Sequence, residues 1–417
     1  MEKIVVNGGK KFSGKIKVNS AKNAYLPILA GSILSKGEIL LHDCPKFEDI
    51  LSMCNILNTL GIKSKLENND LLLTCDGANA FEIPEEQTKL IRSSIFTLGS
   101  ILGRFKKAKV AYPGGCAIGS RPIDLHIKGL RALNVKVEEQ DGYLICDGQN
   151  MRGADVLLNF PSVGATENIM LAATLTKGRT RIFNPAREPE IVDLQNFLNA
   201  MGAKICGAGS DLIEIEGVEN LFSIEYTPMP DRIITGTYII ACAIVGGDIT
   251  LENTNANHIE SLIKKIENKC CKIEVQGDKI RVLADGKPKG FGLVETKPYP
   301  DFPTDLQPQM VALASVADGE SMIIENLFET RFKHIPELVK MGANIHVDGK
   351  IAKITGVKNL FGCEVEAADL RGGACLVLAG LSAIGQTVIS GVHHIDRGYE
   401  KIEMLSKLGA DIKRINV

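Results

Sequence analysis

One pattern recurs six times along the chain, and it limits the possible folds more than any other feature of the sequence. Each copy contains an amphipathic stretch that ends in a small residue, followed by an alternating strand, a tight turn and a second strand. The amphipathic stretches end at Leu60-Gly61, Leu133-Asn134, Met201-Gly202, Lys269-Cys270, Met341-Gly342 and Leu408-Gly409. Between Gly61 and Gly409, 348 residues cover five intervals, so the period is about 70 residues.

A second element recurs in phase with the first, and it consists of an apolar run, a turn and a β-branched strand. The turn glycines are Gly37, Gly178, Gly247, Gly319 and Gly385. Each unit is therefore predicted to contain a helix, a strand, a loop, a second helix and then a strand followed by a hairpin, which indicates an α/β fold. Runs such as 237–245 are apolar on every side, which predicts that these helices lie inside the fold.

The period also predicts the domain organisation. A unit of about 70 residues is too large for a solenoid repeat and too small for a stable domain, so we expect the units to group around shared cores. The strongest linker signal, residues 226–231 with two prolines, lies between the third and fourth units. We predict one domain from residues 20–228 and a second from residues 1–19 and 229–417, with three repeats in each. The N-terminal strand would then return to the second domain.

The composition excludes some classes of partner. Lys plus Arg number 48 and Asp plus Glu number 50, so the formal net charge of −2 provides no overall attraction for nucleic acid or an anionic membrane. The longest uncharged stretch, residues 372–395, contains many small and polar residues and is predicted to form a buried helix and strand instead of a membrane span. The eleven cysteines include no C-x-x-C pair, and the N-terminus has no apolar segment of signal-peptide length, which favours a cytoplasmic location.

The sequence contains no motif for a metal or an organic cofactor. Gly114-Gly115 and Gly372-Gly373 match neither the dinucleotide-binding fingerprint nor the phosphate-binding loop of nucleotide hydrolases. His393-His394 is a candidate metal pair, but adjacent residues of a strand point to opposite sides, and no carboxylate or cysteine completes a ligand set. We therefore expect no metal and no cofactor.

Basic residues stand where the apolar helices are predicted to start. They are Lys22, Arg92, Arg232 and Arg371. A cation has the wrong sign for the dipole of a helix N-terminus, so its recurrence at equivalent repeat positions predicts an anionic ligand held by backbone N–H groups and arginine forks. The alternative is that each is an exposed arginine or lysine in a surface turn.

Cys116 differs in context from the other cysteines. It follows Gly114-Gly115, precedes Gly119, and has Arg121 five residues later. A thiol on a glycine-hinged loop beside a fixed positive charge has the setting of a reactive or acid-base cysteine. The alternative is an inert packing residue, which is our prediction for Cys75, Cys146, Cys242 and Cys375 because they fall in strands and apolar helices.

Asp305 also has two interpretations. In the segment Pro303-Thr304-Asp305 it precedes an apolar helix, where a carboxylate is favoured as an N-cap. The functional interpretation is a general base.

Along its whole length the sequence resembles the UDP-N-acetylglucosamine 1-carboxyvinyltransferases, which are bacterial enolpyruvyl transferases of the EPSP synthase family. The matching segments are Ser20 to Ala24, Pro113 to Leu125, Ser162 to Thr166, Pro303 to Asp305, Thr330 to Phe332, Asp369 to Arg371 and Asp396 to Tyr399. The resemblance implies an α/β fold of two inside-out α/β barrels, each of three βαβαββ units, with the active site in the cleft between them. It also implies transfer of the enolpyruvyl group of phosphoenolpyruvate to the 3-hydroxyl of UDP-N-acetylglucosamine, with release of phosphate.

The family's functional residues map onto this chain position by position. Cys116 would be the proton donor on a lid loop, would form a covalent adduct with phosphoenolpyruvate, and would be alkylated by a phosphonate epoxide. Asp305 would take or orient the hydroxyl proton. Lys22, Arg121 and Arg397 would hold the phosphate, Arg331, Arg371 and Arg397 the carboxylate, and Asn23 would contact phosphoenolpyruvate or the intermediate. The nucleotide-sugar contacts would be Arg92, Arg121, Pro122, Ile123, Asp124, Leu125, Ser162, Val163, Gly164, Asp305 and Leu327.

By the resemblance, one position departs from members of the family that place Lys there, because residue 160 of this chain is Phe160. This puts one contact to the uridine diphosphate in doubt.

Two other functions stay open from the sequence. The first is the sister activity, enolpyruvyl transfer to shikimate 3-phosphate, against which the Cys116 loop and Ser162-Val163-Gly164 argue. The second is a catalytically silent paralogue that binds a nucleotide sugar and regulates a protein partner, against which the presence of Cys116, Asp305 and the arginines argues.

Overall fold

The computed structural model describes residues 2–114, 118–119 and 122–416. Its Cα atoms group into two compact units. Unit I comprises the described residues of 20–115 and 121–229, and unit II comprises those of 1–19, 116–120 and 230–417. Two details differ from the predicted domains. The division falls one residue later than predicted, and residues 118–119 group with unit II, where the Thr330 N–H donates a hydrogen bond to the Ile118 carbonyl (3.1 Å).

The strands and helices follow one another in the predicted alternation. The strands are β1 (Glu2–Asn7), β2 (Phe12–Lys17), β3 (Glu38–Leu41), β4 (Lys63–Glu67), β5 (Asp70–Thr74), β6 (Glu82–Ile83), β7 (Lys107–Ala111), β8 (Lys136–Gln140), β9 (Tyr143–Asp147), β10 (Asp155–Leu157), β11 (Arg179–Phe183), β12 (Lys204–Cys206), β13 (Leu212–Glu216), β14 (Ile224–Tyr226), β15 (Gly247–Glu252), β16 (Cys271–Gln276), β17 (Lys279–Ala284), β18 (Gly292–Glu295), β19 (Glu320–Ile324), β20 (Asn344–Asp348), β21 (Ile351–Thr355), β22 (Glu364–Glu366), β23 (Gln386–Ser390) and β24 (Asp411–Asn416).

The α-helices are α1 (Lys22–Ser32), α2 (Glu48–Thr59), α3 (Glu85–Thr88), α4 (Phe96–Phe105), α5 (Asp124–Ala132), α6 (Val163–Thr174), α7 (Pro189–Ala200), α8 (Arg232–Val245), α9 (Glu260–Ile266), α10 (Gln307–Ser315), α11 (Ile335–Lys340), α12 (Leu370–Ser382) and α13 (Val392–Asp396). Short 3₁₀ helices span Arg92–Ile95, Ala256–Ile259, Thr304–Leu306 and Ile402–Leu408. None of the described helices is long and apolar enough to cross a bilayer.

The described strands form six four-stranded sheets with one shared pattern. Each sheet contains a parallel pair followed by two antiparallel neighbours, as in β6-β7-β9-β8, where β6 and β7 are parallel. In this pattern the strand that follows each hairpin pairs with the first strand of the next repeat. In unit I the strand after the third hairpin, β14, pairs with β3 of the first repeat, which closes the set of three sheets.

The chain termini complete the same closure in unit II. Strand β1 lies between β23 and β24 and is antiparallel to both, so it takes the place of the second hairpin strand of the sixth repeat. Strand β2 then pairs in parallel with β15 of the fourth repeat. The predicted return of the N-terminal strand to the second half is therefore confirmed. In the antiparallel pair of β1 and β24, Glu2 is paired with Asn416.

The buried helices form the centre of each unit's core. Helices α1, α4 and α6 in unit I and α8, α10 and α12 in unit II consist mostly of buried residues. In α8 every residue from Arg232 to Ile244 is buried, as the apolar run 237–245 predicts, although Val245 at its end is partly exposed. Burial on all sides accounts for the lack of a polar face in these helices.

The turns after these helices show how the repeats tolerate variation. Gly178, Gly247, Gly319 and Gly385 have positive φ, a region that side chains other than glycine rarely adopt. The second repeat has no glycine there, and Lys106 adopts the left-handed conformation (φ 58°). In the fourth repeat the left-handed residue before the hairpin is Asn268, two residues before Cys270, where the alignment of the repeats predicts the end of the amphipathic stretch.

Candidate active site

The predicted site residues divide between the two units. Unit I carries Lys22, Asn23, Arg92, Pro122, Ile123, Asp124, Leu125, Ser162, Val163 and Gly164, and unit II carries Asp305, Leu327, Arg331, Arg371 and Arg397. Cys116 and Arg121 lie outside the described residues. The helix starts agree with the prediction, because α1 begins at Lys22, a 3₁₀ helix begins at Arg92, α8 begins at Arg232, and Arg371 is the second residue of α12.

Three of these four basic side chains are buried, so the alternative of exposed surface residues does not apply to them. Lys22, Arg232 and Arg371 are 8%, 8% and 2% exposed. The Lys22 ammonium lies 3.1 Å from the Asp49 carboxylate, and the Arg232 guanidinium lies 5.6 Å from the centre of the Tyr299 ring. A buried charge is costly unless nearby groups compensate it, so a cation at these positions requires specific partners.

Asp305 lies at the centre of the unit II cluster. It is the second residue of the 3₁₀ helix Thr304–Leu306, whose cap position is occupied by Pro303, so the N-cap interpretation does not describe it. Arg331 donates from Nη2 to Asp305 Oδ1 (2.9 Å), and Arg371 donates from Nη2 to Asp305 Oδ2 (3.1 Å). One carboxylate is thus held by two guanidinium groups.

The two arginines of the cluster retain unused hydrogen-bond donors. Nε of Arg331, and Nε and Nη1 of Arg371, are buried and have no hydrogen-bond partner among the described residues. Burial lowers the pKa of Arg371, but the charges of Asp305 and other neighbours outweigh this and raise it, so the group stays cationic. Unpaired buried donors on a fixed cation suit a planar anion such as a carboxylate.

Asp369 and His334 lie next to the arginines. Asp369 caps α12 by accepting hydrogen bonds from the backbone N–H groups of Arg371 and Gly372 (3.0 Å each), and it lies 4.0 Å from Arg331. Burial lowers the pKa of His334 to about 4, so its ring is neutral at neutral pH. The cluster therefore contains two guanidinium groups, two carboxylates and a neutral imidazole.

Glu325 is a residue that the sequence analysis missed. Its buried carboxylate accepts hydrogen bonds from the hydroxyl groups of Thr296 (3.0 Å) and Thr304 (2.9 Å). It also accepts from the backbone N–H groups of Leu327 (2.8 Å) and Phe328 (3.2 Å). Glu325 therefore fixes the segment next to Asp305 against the turn that carries Leu327.

In unit I, Asn168 connects the segments that carry the predicted nucleotide-sugar contacts. It accepts a hydrogen bond from the Gly99 N–H (2.5 Å) in α4, donates to the Ile95 carbonyl (3.0 Å), and lies 3.0 Å from His126 Nδ1 in α5. The 3₁₀ helix of Ile95 begins at Arg92, and α5 begins at Asp124. Asn168 itself lies in α6, so one buried amide connects α6 with α4, with α5 and with the end of the 3₁₀ helix Arg92–Ile95.

The start of α6 is shaped by a cap and a small residue. Ser162 caps the helix by accepting from the Ala165 N–H (3.4 Å). A Cβ atom on Gly164 would lie 3.1 Å from the rings of both His126 and Phe96. The absence of a side chain at Gly164 therefore lets the start of α6 pack closely against α5, and the segments 122–125 and 162–164 are brought together.

The remaining predictions concern the packing cysteines and the candidate metal pair His393-His394. Burial raises the pKa values of Cys75, Cys146 and Cys242 to about 12, in agreement with inert packing residues. The expectation that His393 and His394 lie in a strand and point to opposite sides is wrong, because both belong to α13 and their ring centres lie 4.0 Å apart. Within the part of the chain that the structure describes, no group of three or more His, Cys, Asp or Glu residues is arranged to hold a metal ion.

Comparisons with known proteins identify the family. A family model described as EPSP synthase (3-phosphoshikimate 1-carboxyvinyltransferase) matches residues 6–405. The chain belongs to the EPSP synthase family. Among its relatives, UDP-N-acetylglucosamine 1-carboxyvinyltransferase 2 of Caldanaerobacter subterraneus subsp. tengcongensis is 49% identical over 416 residues, with 100% of both chains covered. UDP-N-acetylglucosamine 1-carboxyvinyltransferase 1 of Clostridium perfringens is 45% identical over 421 residues, again with 100% of both chains covered.

Solved structures of the family agree in fold. The enolpyruvyl transferase NikO from Streptomyces tendae matches with a TM-score of 0.87 at 22% identity, covering 100% of this chain and 99% of that chain. EPSP synthase from Acinetobacter baumannii matches with a TM-score of 0.74 at 18% identity, covering 100% of both. At these identities the likeness concerns the fold alone. It confirms the predicted α/β class of the EPSP synthase family, with two units of three repeats.

Proposed function

We propose that this chain transfers the enolpyruvyl group of phosphoenolpyruvate to the 3-hydroxyl of UDP-N-acetylglucosamine and releases phosphate, the first committed step of peptidoglycan synthesis. Relatives named for this carboxyvinyl transfer match the chain from end to end. The structural observation that carries the proposal is the unit II cluster, in which two buried guanidinium groups hold one carboxylate and keep donors unused.

The unit II cluster supplies what one half of this reaction requires. The carboxylate of phosphoenolpyruvate needs cationic donors in a fixed planar arrangement, and Arg331 and Arg371 offer such N–H groups, with Arg397 as the third member. The sugar hydroxyl must lose its proton as its oxygen bonds to C2 of phosphoenolpyruvate, and Asp305 is the carboxylate that takes or orients that proton. Leu327 contributes a nucleotide-sugar contact from the turn fixed by Glu325.

Unit I and the Cys116 loop supply the remaining parts. Cys116 delivers a proton to the methylene carbon as the sugar oxygen bonds to C2, which gives a tetrahedral intermediate. The Cys116 thiolate then takes a proton back from the new methyl group as phosphate leaves C2, which restores the double bond and gives the enol ether. Lys22, Arg121 and Arg397 neutralise the phosphate, and Asn23 contacts phosphoenolpyruvate or the intermediate. The nucleotide sugar is held by Arg92, by Arg121 to Leu125 and by Ser162 to Gly164. The start of α6 supports nucleotide-sugar binding because Ser162 caps the helix and Gly164 allows it to pack closely against α5.

Two further expectations belong to the same proposal. The reaction takes place in the cytoplasm, which is supported by the described cysteines, all of which are free thiols. A phosphonate epoxide alkylates Cys116, and it does so faster when the nucleotide sugar is bound. Peptide mass spectrometry after labelling would contradict this if the adduct lay on another cysteine.

The function is tested by phosphate release from phosphoenolpyruvate. The purified protein is incubated with UDP-N-acetylglucosamine, with shikimate 3-phosphate, or with no acceptor, and Cys116→Ala is compared with wild type. We expect release with the nucleotide sugar only, and its loss in the variant. Release with shikimate 3-phosphate would assign the chain to the sister activity. No release in any arm, from protein that still binds the nucleotide sugar in calorimetry, would favour the silent regulatory paralogue.

A further inference from the structure

The segment that carries Arg397, residues 392–400, is fastened to the rest of unit II at three points. Asp396 accepts two hydrogen bonds from the Arg414 guanidinium of β24 (2.6 and 2.8 Å). Glu400 accepts from the Asn19 side-chain amide (2.9 Å). The third point is Tyr399, which is 2% exposed and reaches into the core. Arg397 therefore lies between fastened neighbours on both sides. We call residues 392–400 the Arg397 segment.

The hydroxyl group of Tyr399 belongs to a buried polar network with side chains of two core helices. Its hydroxyl lies 2.9 Å from Gln309 Nε2 in α10 and 3.0 Å from Thr237 Oγ1 in α8. Gln309 Nε2 also donates to Thr237 Oγ1 (3.1 Å). Thr237 and Gln309 are fully buried. We refer to Thr237, Gln309 and Tyr399 as the Tyr399 network.

The protons of the network have one consistent arrangement. The Thr237 hydroxyl donates to the Ile233 carbonyl of its own helix (2.8 Å), so its oxygen is left as an acceptor. The Tyr399 hydroxyl therefore donates to Thr237, and the two N–H groups of Gln309 donate to Thr237 and Tyr399. The orientation of the Tyr399 side chain is thus set by a donor on one side and an acceptor on the other.

The network is poorly suited to a purely stabilising role. The carbonyl oxygen Oε1 of Gln309 is buried and has no hydrogen-bond partner among the described residues. An unpaired buried acceptor costs stability, and an apolar side chain of similar size would avoid that cost. The presence of a Gln309 side-chain amide at this buried position therefore indicates that the amide orients Tyr399.

Tyr399 also contacts the anion-binding cluster. The Arg371 guanidinium lies 5.3 Å from the centre of the Tyr399 ring, and Arg371 in turn donates to Asp305 (3.1 Å). A guanidinium above an aromatic face is attracted to it and is fixed in direction. One tyrosine therefore supports Arg371 with its ring, and its backbone lies two residues from Arg397.

We infer that the Tyr399 network is a positioning device that sets the directions of Arg371 and Arg397 together and so determines the affinity for the carboxylate of phosphoenolpyruvate. This inference rests on the proposed function of the cluster. Thr237, Gln309 and Tyr399 are positioning residues, since they act through the two arginines. Loss of a single hydroxyl from the network should weaken the use of phosphoenolpyruvate and leave nucleotide-sugar binding unchanged.

The test compares Tyr399→Phe and Thr237→Val with a matched control, Thr174→Val. Thr174 in α6 is also fully buried and donates to the carbonyl four residues earlier (2.8 Å), but no further hydrogen bond to its hydroxyl is seen among the described residues. We expect Tyr399→Phe and Thr237→Val to raise the KM for phosphoenolpyruvate about tenfold, with kcat and the KM for UDP-N-acetylglucosamine within about twofold of wild type. Thr174→Val should change none of these constants.

Two kinetic results would overturn the inference. One is an equal loss for both substrates, accompanied by the same fall in Tm as in Thr174→Val, which would show a structural role only. The other is an unchanged KM for phosphoenolpyruvate in both network variants. If wild type shows no turnover, the proposed function fails, and hydrogen exchange still decides this inference. Backbone amides of the Arg397 segment should then exchange faster in Tyr399→Phe than in Thr174→Val, and equal rates would overturn it.

Discussion

The two units share one strand order but place different polar groups at the same position of their buried helices. The sixth residue after the helix cap is Asn168 in α6, Thr237 in α8 and, counted from the cap of the preceding 3₁₀ turn, Gln309 at α10. Asn168 connects three helices of unit I by itself. In unit II, Thr237 and Gln309 bind each other and Tyr399.

This difference indicates a division of labour between the units. In unit I the shared position is a neutral hub that joins the helices of Arg92, Asp124 and Ser162. In unit II it supports a charged cluster around Asp305 and Arg371. We therefore expect changes at the unit I hub to affect the nucleotide sugar first, and changes at the unit II cluster to affect phosphoenolpyruvate first.

The largest expected effect comes from removing a charge of the unit II cluster. Arg371→Ala should lower kcat/KM for phosphoenolpyruvate by about 10³-fold, because it removes a buried forked donor and one of the two guanidinium groups that hold Asp305. Arg371→Lys should recover little of this, since lysine cannot reproduce the fork. Steady-state phosphate release measures both variants.

A surface arginine provides the control for this experiment. Arg281 makes two hydrogen bonds to Asp248 (2.7 and 2.9 Å), but both side chains are about half exposed. Arg281→Ala should leave kcat/KM unchanged, because exposed ion pairs contribute little. An equal loss of nucleotide-sugar affinity in Arg371→Ala, measured by calorimetry, would contradict the division between the units.

The second prediction uses two buried titratable groups that respond to pH with opposite signs. In unit I, burial raises the pKa of Asp193 to about 6, despite hydrogen bonds from Tyr226 and Met229. The folded state therefore binds the proton more tightly, and the free energy of unfolding falls as pH rises from about 4 to 6, by about 3 kcal/mol. In unit II, burial lowers the pKa of His334 to about 4, so the free energy of unfolding rises by about 3 kcal/mol between about pH 4 and 6.5.

Two variants separate these contributions in urea unfolding from pH 4 to 7. Asp193→Asn removes the falling contribution, so its stability should increase more steeply with pH than that of wild type. His334→Gln removes the rising contribution, so its stability should increase less steeply. A change of slope in the same direction for both variants would refute the assignment.

The third prediction concerns the hub of unit I. Asn168→Ala leaves the Gly99 N–H and the Ile95 carbonyl buried without their partner, which should cost about 2 kcal/mol of stability. Because the hub joins the helices of Arg92 and Asp124, the affinity for UDP-N-acetylglucosamine should fall about tenfold. Calorimetry with each substrate checks this. A larger loss for phosphoenolpyruvate would contradict the division of labour.

The sequence predicted the repeat and the helix starts because both are local and recur at a fixed spacing. The positions of Lys22, Arg232 and Arg371 at helix starts follow from turn residues and apolar runs close to them in the chain. The turn of the fourth repeat was predicted at Cys270, two residues away from Asn268, because that copy contains no glycine to mark it.

The polar networks were missed because their partners are distant in the chain. Gln309 bonds to Thr237 across 72 residues, Asn168 to Gly99 across 69, and Arg371 to Asp305 across 66. These separations are close to the repeat period. Aligning the six copies and asking where polar residues occupy the apolar helices would therefore have indicated Asn168, Thr237 and Gln309. No such spacing marks Glu325, whose partners Thr296, Thr304, Leu327 and Phe328 lie 29, 21, 2 and 3 residues away.

The smallest expected effect concerns Phe160, which by the family resemblance stands where some members place Lys. Phe160 lies two residues before the α6 cap Ser162, and its side chain is 47% exposed. Phe160→Lys would place a positive charge near the proposed diphosphate contacts. The KM for UDP-N-acetylglucosamine should fall about threefold at low ionic strength, because an exposed charge pair contributes little and is screened by salt.

Leu157→Lys makes the control, because Leu157 is 59% exposed and lies three residues earlier, at the end of β10. It adds the same charge to the same unit. If both variants lower the KM equally, the effect is a general attraction of the anionic substrate by net charge. If only Phe160→Lys does so, and the gain disappears in high salt, the charge acts at the substrate. The KM for phosphoenolpyruvate should stay constant in both variants, since its proposed carboxylate contacts lie in unit II, and a parallel change in that KM would contradict the division of labour.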